Sequence, residues 1–208
     1  MTELISDREA RKYLRAIIKM YPNSEGSLLW DTRFHLLCAV LMSAQTTDRM
    51  VNRIMPEFTE KFPTAFELSQ ASISDIEAVI NRLGLYHSKA EHLRKMAKQL
   101  VKEYDGQVPD TMEALTSLAG VGEKTASVVL SDGFKIPQIA VDTHITRITK
   151  AFKMVPENAD AHEIKLYLQN LMPKKEWIEL HHALIYFGRN NYPARKKHED
   201  PRNFIEAK

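Results

Sequence analysis

Helical spacing of the apolar residues is the feature that most restricts how this chain can fold. Apolar residues recur at intervals of three and four along almost all of its 208 positions, which is typical of helices that bury one face. The segments Phe34–Met42 and Ala90–Leu100 show this spacing clearly. Only residues 138–141 have the composition of a strand, and so short a segment cannot build a sheet. We therefore expect an all-α protein with about ten helices.

Glycine and capping residues predict where several of these helices begin and end. Gly84 and Gly106 follow apolar stripes and can end them, because glycine readily takes the left-handed conformation of a helix C-terminus. Asp110, with Glu113 three residues later, predicts a capping box. Asp142 is placed to cap the helix that follows it. Further helices are predicted at residues 123–130, 160–171 and 174–187.

The composition is that of a globular protein and excludes a membrane-spanning chain. Hydrophobic residues make up 44% and charged residues 27%, and no apolar run approaches the roughly 18 to 20 residues that cross a bilayer. The first residues lack the pattern of a signal peptide, and Cys38 has no second cysteine for a disulfide, so we expect a cytoplasmic protein. The net charge of +2 neither indicates nor excludes a nucleic-acid ligand, because a local basic stripe is enough to bind one.

A glycine-containing turn between two predicted helices is the most informative motif. It lies in Leu118–Ala126, whose sequence is LAGVGEKTA. Its two glycines permit positive φ and leave backbone N–H groups uncovered, and the start of the next helix is a positive dipole end that attracts phosphate. The motif favours a helix-hairpin-helix that holds a DNA backbone without reading its sequence. An ordinary glycine-capped connection between helices is the alternative.

Lys124 and Asp142 are the candidate catalytic residues. Lys124 lies in the first turn after the hairpin, where the helix dipole disfavours an ammonium and so favours the neutral amine that a nucleophile needs. Asp142 follows an apolar run and opens a helix. A carboxylate there can take a proton from Lys124 or stabilise a cationic sugar. The alternatives are a phosphate-binding or solvated lysine, and an aspartate that only caps its helix.

Taken in order, five segments resemble the endonuclease III branch of the helix-hairpin-helix DNA glycosylases. Leu118–Ala126 followed by Val141–His144 looks like the hairpin and catalytic aspartate of that family. The other segments are residues 41–48 (LMSAQTTD), 84–90 (GLYHSKA) and 181–189 (HHALIYFGR). The resemblance runs from about residue 30 to residue 190, and it is the ordered set that is specific rather than any one segment.

The resemblance implies both a fold and a reaction. The fold has a six-helix lobe at residues 27–136 and a second lobe from residues 1–26 and 137–208, with DNA across the cleft and Lys124 and Asp142 on opposite lips. In this family the lysine attacks C1′ of a flipped nucleotide, the base leaves, and β-elimination from the Schiff base cuts the strand. A lysine at this position points to the branch that removes oxidised pyrimidines, since the adenine and alkylated-base branches typically lack it. The chain would then be a bifunctional DNA glycosylase and abasic-site lyase of base excision repair, and a monomer that binds double-stranded DNA containing damaged bases or abasic sites.

The resemblance also implies which residues contact DNA. Gln45 would fill the space left by the flipped nucleotide, and Leu85 would wedge the opposite strand. From the residues alone, a polar residue that ends an apolar helix and a leucine just past a glycine stop both suit exposed loop tips. The alternatives are an ordinary polar residue at a helix end and a buried core leucine. The remaining predicted DNA contacts are Gly120, Val121, Gly122, Thr125, His144, Arg195, Lys196 and Lys197.

The chain departs from the family in its C-terminal segment. Relatives usually carry four cysteines there that hold an iron–sulfur cluster, whereas residues 187–202 contain none, and Cys38 alone cannot ligate a cluster. We therefore predict that there is no cofactor and that the basic residues 195–197 bind phosphate without one, a solvated surface being the alternative. The side chains expected to hold this loop instead are Trp177, Leu180, Leu184, Phe187, Tyr192 and Pro193.

Three other functions fit the motifs less well. A hairpin protein that only binds DNA leaves Lys124 and Asp142 at family spacing unexplained, and an adenine-type glycosylase is disfavoured by Lys124 and by the lack of an appended recognition domain. A helical adaptor for proteins gives no reason for the two motifs. No catalytic metal is expected, because the adjacent His181 and His182 lack the spacing of two ligands on one helix face.

Overall fold

A computed structural model of the chain, which describes residues 3–205, confirms the all-α class. No strand occurs among these residues, and residues 138–141 form none. No helix in the same range is long and apolar enough to cross a membrane. The α-helices of the described chain are α1 (Asp7–Met20), α2 (Arg33–Met42), α3 (Asp48–Lys61), α4 (Ala65–Gln70), α5 (Ile73–Ile80), α6 (Tyr86–Tyr104), α7 (Met112–Ser117), α8 (Glu123–Val128), α9 (Thr143–Ala151), α10 (Ala161–Leu171) and α11 (Trp177–Asn190). A π-helical turn (Val129–Gly133) continues α8, and short 3₁₀ turns lie at Lys174–Glu176, Ala194–Lys196 and Pro201–Phe204.

Most of these helices begin at a residue whose side chain caps them. A serine, threonine or aspartate accepts a hydrogen bond from a first-turn N–H at α1 to α5, α7, α9 and α10. Each such cap is worth about 1 kcal/mol of helix stability. Side-chain caps are lacking at α6, α8 and α11. The N-cap residues of α6 and α8 are Leu85 and Gly122, which are both predicted DNA contacts.

The capping box predicted at Asp110 and Glu113 is wrong. Thr111 is the N-cap of α7, and its Oγ1 accepts a hydrogen bond from the N–H of Ala114 at 3.3 Å. Glu113 is then the second residue of the helix, one position short of the third position that a capping box requires. Aspartate and threonine are both good N-caps. Because Asp110 and Thr111 are adjacent, the sequence does not distinguish which of them caps α7, and the predicted N-cap is one residue too early.

Two compact units make up the chain. One is the continuous segment Ser27–Phe134, which contains α2 to α8, and the other combines the chain up to Gly26 with the chain from Lys135 onward. The predicted boundaries between the two lobes fall between residues 26 and 27 and between residues 136 and 137. Where the resemblance implies six helices in the continuous lobe, the described unit has seven α-helices, of which α4, α7 and α8 have only six residues each.

The core of the continuous unit is built around α2. Every residue of α2 from Phe34 to Met42 is buried, as is expected of a helix that is apolar on all sides. It packs against α3, α6 and α8, and α6 packs in turn against α4 and α5. This packing fixes three places relative to one another: the end of α2, the start of α6 and the hairpin before α8.

The discontinuous unit is built around α11, which packs against α1 and α9. The predicted apolar face of α11 is confirmed, because Leu180, Leu184 and Phe187 are fully buried and Trp177 packs against the same cluster. The cluster also contains Leu14, Ile17, Ile145, Ile148, Ile164 and Leu168. The 3₁₀ turn at Lys174–Glu176 leads into this helix, which continues to Asn190, beyond the predicted end at residue 187.

Candidate functional site

The two glycines of the hairpin serve different purposes. Gly120 has a φ of 76°, and a Cβ added there would lie 2.9 Å from the Cβ of His92 and 3.2 Å from Cδ1 of Leu41. Both the left-handed backbone and the close approach therefore require glycine at this position. Gly122, the N-cap of α8, has a φ of −93°, and an added Cβ would meet nothing within 4 Å. The hairpin is thus anchored to the core at Gly120 and faces open space at Gly122.

The residues beside these glycines also differ in exposure: the one after Gly120 is buried, and the ones after Gly122 face solvent. Val121 is only 6% exposed, and its N–H donates to the carbonyl oxygen of Leu118 at 3.1 Å. Lys124 is exposed in the first turn of α8, and Thr125 beside it is half-buried. Val121 therefore holds the hairpin closed, while the amine of Lys124 can be reached from solvent.

Gln45 and Leu85 both lie on exposed loops in an unusual backbone conformation. Their φ angles are 53° and 58°, in the left-handed region that costs a residue with a Cβ roughly 1–2 kcal/mol. Leu85 is 60% exposed, so the alternative of a core leucine is wrong. Such backbone angles occur at functional loops, but four other non-glycine residues of the described chain share them, so it is the exposure of Gln45 and Leu85 on neighbouring loops that matters here.

Within the continuous unit, the hairpin and these two loops come together. A Cβ added at Gly84 would lie 3.9 Å from the carbonyl oxygen of Gln45, so the two loops are neighbours. Gly120 approaches Leu41 on α2, just before the Gln45 loop, and His92 on α6, just after the Leu85 loop. The structure therefore groups at one end of this unit most of the residues predicted to bind DNA in it.

Asp142, in the discontinuous unit, is the N-cap of α9. Its Oδ1 accepts a hydrogen bond from the N–H of Ile145 at 2.9 Å, which confirms the predicted cap. The cap uses one carboxylate oxygen and leaves Oδ2 outside it. Asp142 is half-buried, so the same side chain can both start the helix and present an oxygen for proton transfer.

Arg147, which the sequence analysis missed, joins α9 to the C-terminal segment. Its Nη2 donates to Nδ1 of His144 at 3.0 Å and to the carbonyl oxygens of Gly188 at 3.0 Å and Tyr192 at 2.8 Å. Burial lowers the pKa of His144, and the Asp142 carboxylate opposes this shift. A Cβ at Gly188 would lie 2.7 Å from Nδ1 of His144, which explains the glycine.

The C-terminal loop is held by Tyr192, which is fully buried. The carbonyl oxygens of Lys197 and Glu199 lie 3.0 Å and 3.1 Å from its hydroxyl and accept from it. Lys196 packs its ammonium over the ring of Phe204, 4.2 Å from the ring centroid. Arg195 and Lys197 are exposed. The loop thus presents two basic residues to solvent and uses the third partly to hold itself together.

The residues present do not fit the iron–sulfur cluster of the family. A cluster of this kind is held by cysteine thiolates, and the only cysteine of the chain, Cys38, is buried in α2, where burial raises the pKa of its thiol. In the C-terminal loop, the ring of Tyr192 occupies the interior. Across residues 3–205, no group of three or more histidine, cysteine, aspartate or glutamate side chains is placed to hold a metal ion.

Comparison with known proteins assigns the chain to a family. The profile of the HhH-GPD superfamily of base excision DNA repair proteins matches residues 38–174. The chain belongs to this superfamily. It is 36% identical to endonuclease III of Bacillus subtilis (strain 168) over 176 residues, which are 85% of this chain and 80% of that protein. Endonuclease III of Escherichia coli (strain K12) is 36% identical over 175 residues, 84% of this chain and 82% of that protein.

The similarity to endonuclease III extends to the three-dimensional structure. A trapped covalent intermediate of endonuclease III with DNA matches the fold with a TM-score of 0.90 and 35% identity, over 92% of this chain and 90% of that one. The predicted class is therefore confirmed: the chain is a base excision repair enzyme with DNA glycosylase and lyase activity, and its partner is DNA. The alternatives of a protein adaptor and of a non-catalytic hairpin protein do not agree with these similarities.

A further polar residue, Lys89, was not among the predicted site residues; it lies on α6 and is only 4% exposed. A signal for it exists in the sequence. Lys89 lies four residues before Leu93 and seven before Met96, on the apolar stripe of the helix, and a lysine is rarely found at a fully buried position.

Proposed function

We propose that the protein removes oxidised pyrimidines from double-stranded DNA and cuts the strand at the resulting abasic site through Lys124. The observation that supports this most is the position of Lys124. This lysine is exposed and lies two residues after Gly122, where an added Cβ would meet no atom within 4 Å. A phosphate held by the hairpin backbone would bring the sugar next to it within reach of the amine. Lysine is the residue type that forms a Schiff base with a sugar carbon.

The reaction is an exchange of bonds at C1′ followed by elimination. The neutral amine of Lys124 forms a bond to C1′ as the bond from C1′ to the base breaks, and the base leaves with the bonding pair and is then protonated. Asp142 is our proposed acceptor for the proton that the attacking nitrogen loses, because its helix cap uses only Oδ1. Opening of the sugar ring gives the Schiff base, loss of a proton from C2′ breaks the bond from C3′ to oxygen, and hydrolysis frees the lysine.

The loop residues would hold the duplex open while this happens. Flipping a nucleotide costs a few kcal/mol of stacking and pairing, and less for a damaged base. We propose that Gln45 fills the vacated space and that Leu85 wedges the opposite strand, because both are exposed on neighbouring loops. The backbone around Gly120, Val121 and Gly122 would hold a phosphate. Thr125 and His144 are the remaining proposed contacts.

The C-terminal loop would add a phosphate contact that needs no cofactor. Arg195 and Lys197 are exposed on a loop whose interior is filled by Tyr192, and the chain lacks the cysteines that a cluster needs. We therefore propose a cluster-free enzyme in which Arg195 and Lys197, with a smaller share from Lys196, bind the DNA backbone. We further propose that it acts as a monomer in the cytoplasm.

The test is a panel of defined duplexes. Each contains one of thymine glycol, dihydrouracil, an adenine mispair, an alkylated purine or an abasic site, and base release and strand cleavage are measured separately. We expect release and cleavage at the oxidised pyrimidines, cleavage at the abasic site, and little release of purines. Release of adenine or of the alkylated purine as the main activity would contradict the proposed substrate class. Release without cleavage would contradict the lyase step at Lys124.

A further inference from the structure

Lys89 occupies a place that ordinary energetics disfavour for a lysine. It is 4% exposed and lies in the first turn of α6, near the positive end of the helix dipole. No acidic residue lies in that turn. Burial lowers the pKa of the Lys89 ammonium, which reflects the cost of removing the charge from water. A lysine that occupies this position despite the unfavourable burial and helix dipole indicates a functional constraint.

The side chain of Lys89 reaches from α6, which begins directly after Leu85, to the loop that carries Gln45. The backbone N–H of Lys89 makes the first hydrogen bond of α6, to the carbonyl oxygen of Leu85 at 3.0 Å, as any residue with an N–H would here. Its Nζ donates to Oγ1 of Thr46, the residue after Gln45, at 2.8 Å. Lys89 therefore connects the main chain at Leu85 to the loop that presents Gln45.

The Gln45 loop has side-chain hydrogen bonds of its own, since Ser43 donates to the carbonyl oxygen of Val40 and Thr47 caps α3, but the Thr46 hydroxyl is held mainly from outside the loop. Leu85, the N-cap of α6, has a left-handed backbone and makes no side-chain cap, and Gln45 also has a positive φ. Within its own loop, the Thr46 hydroxyl reaches only the carbonyl oxygen of Ala44, at 3.4 Å. The charged bond from Lys89 is shorter than this contact, and hydrogen bonds to charged groups are the stronger kind.

We infer that Lys89 is a positioning residue for DNA insertion, which holds the Gln45 and Leu85 loops at a fixed spacing so that both side chains enter the duplex together. Loops that are ordered before binding lose less conformational freedom when they bind. The inference rests on the proposed function and deepens it, because it names the residue that couples the two inserting loops. Lys89 itself need not touch DNA.

The test measures insertion without requiring chemistry. The duplex carries an uncleavable abasic analogue opposite aminopurine, whose fluorescence rises when it is unstacked, and the variant is Lys89→Met. We expect an affinity for this duplex about tenfold lower, the scale of one lost charged hydrogen bond, and a smaller rise in fluorescence. Binding to undamaged duplex and the melting temperature should stay close to those of the wild type. Lys98→Met is the matched control, because it removes an exposed lysine from the same helix.

A double-mutant cycle separates positioning from a merely structural effect. If Lys89 acts through the Gln45 loop, then Lys89→Met should cost much less in a Gln45→Ala background than in the wild type. Equal costs in the two backgrounds would overturn the inference, and so would wild-type affinity and fluorescence in Lys89→Met. If Lys89→Met fails to fold, Thr46→Val removes the partner hydroxyl instead, and Thr46→Ser, which keeps it, should restore insertion. Insertion by Thr46→Val at the wild-type level would then overturn the inference.

The proposed function fails in a different way from this inference. Because the analogue cannot react, a wild-type protein that unstacks aminopurine but releases no base from any duplex would contradict the catalytic proposal alone. A wild-type protein that releases damaged bases but does not unstack aminopurine would contradict insertion by Gln45 and Leu85, and with it the positioning role of Lys89, while the catalytic proposal would stand.

Discussion

Asp142 shows how one side chain can serve folding and chemistry with different atoms. Its Oδ1 caps α9 through the N–H of Ile145, and Oδ2 lies outside the cap. Asparagine caps a helix about as well as aspartate, but it cannot take a proton. The two roles can therefore be separated by a single substitution.

We expect Asp142→Asn to fold and bind damaged duplex like the wild type and to turn over at least ~100-fold more slowly, the scale of a lost acid–base group. Single-turnover kinetics and a thermal melt measure the two effects side by side. The control is Asp160→Asn, since Asp160 caps α10 through its own Oδ1 and has no proposed catalytic role. If Asp142→Asn melts early while Asp160→Asn does not, the slow turnover would reflect folding rather than chemistry.

We expect Lys124→Gln to lose both base release and strand cleavage while it keeps its affinity for damaged duplex. Glutamine keeps much of the length and polarity of lysine, but it lacks the amine that forms the bond to C1′. Borohydride, which reduces a Schiff base to a stable amine, should trap wild-type protein on abasic DNA and should not trap the variant. A variant that is still trapped would mean that another amine is the nucleophile.

At the scale of elements, the C-terminal loop depends on a single buried ring. Tyr192 packs near Phe187 and Phe204, and its hydroxyl bonds two carbonyl oxygens of the loop. We expect Tyr192→Ala to lower the free energy of unfolding by about 3–5 kcal/mol, as for other buried aromatic residues. Tyr192→Phe should lower it by only about 1 kcal/mol, the value of one net hydrogen bond. Denaturant unfolding measures both, and an unchanged midpoint in Tyr192→Ala would show that the ring does not hold the loop.

The charges on this loop predict a dependence on salt. Replacing Arg195, Lys196 and Lys197 with alanine should weaken binding to damaged and undamaged duplex alike, because phosphate contacts carry no sequence information. Each lost contact should reduce the slope of log K against log salt by about 0.9, and single-turnover chemistry at saturating enzyme should be nearly intact. Most of the change in slope should come from Arg195 and Lys197, since Lys196 packs on Phe204.

An unchanged slope in the triple variant would show that the loop faces away from DNA and is only a solvated surface. The matched control replaces Lys12 and Lys19, two exposed lysines of α1 in the same unit. That control should leave the slope close to the wild-type value.

Local patterns predict most helices and the cap at Asp142, although they place the cap of α7 one residue early, and they fail for partners that are distant in sequence. The spacing of apolar residues predicts the buried face of α11, and the identity of Asp142 predicts its cap. Lys89 and Arg147 were missed because their roles depend on Thr46 and Tyr192, which are 43 and 45 residues away. Periodicity reports which face of a helix is buried, but not which loop a polar residue on that face will meet.

At the scale of the whole molecule, we expect purified protein to be colourless, to contain no stoichiometric iron and to remain active in chelator. The reason is the donor set, since one cysteine cannot supply the thiolates of a four-cysteine cluster. Metal analysis, the visible absorption spectrum and glycosylase activity after dialysis against chelator test this together. Absorbance in the cluster band, or activity that chelator removes and iron restores, would contradict it.

At Gly122, the effect of a substitution on stability is expected to differ from its effect on DNA binding. The φ of −93° at Gly122 suits any residue, and a side chain there would meet no other part of the chain within 4 Å. Alanine at this position should change the free energy of unfolding little, because the lower conformational entropy of the unfolded chain offsets the loss of a better N-cap residue. If glycine is needed, the need comes from the phosphate rather than from the protein. A screen that scores variants only by abundance or heat resistance would therefore pass a repair-deficient substitution at Gly122 as harmless.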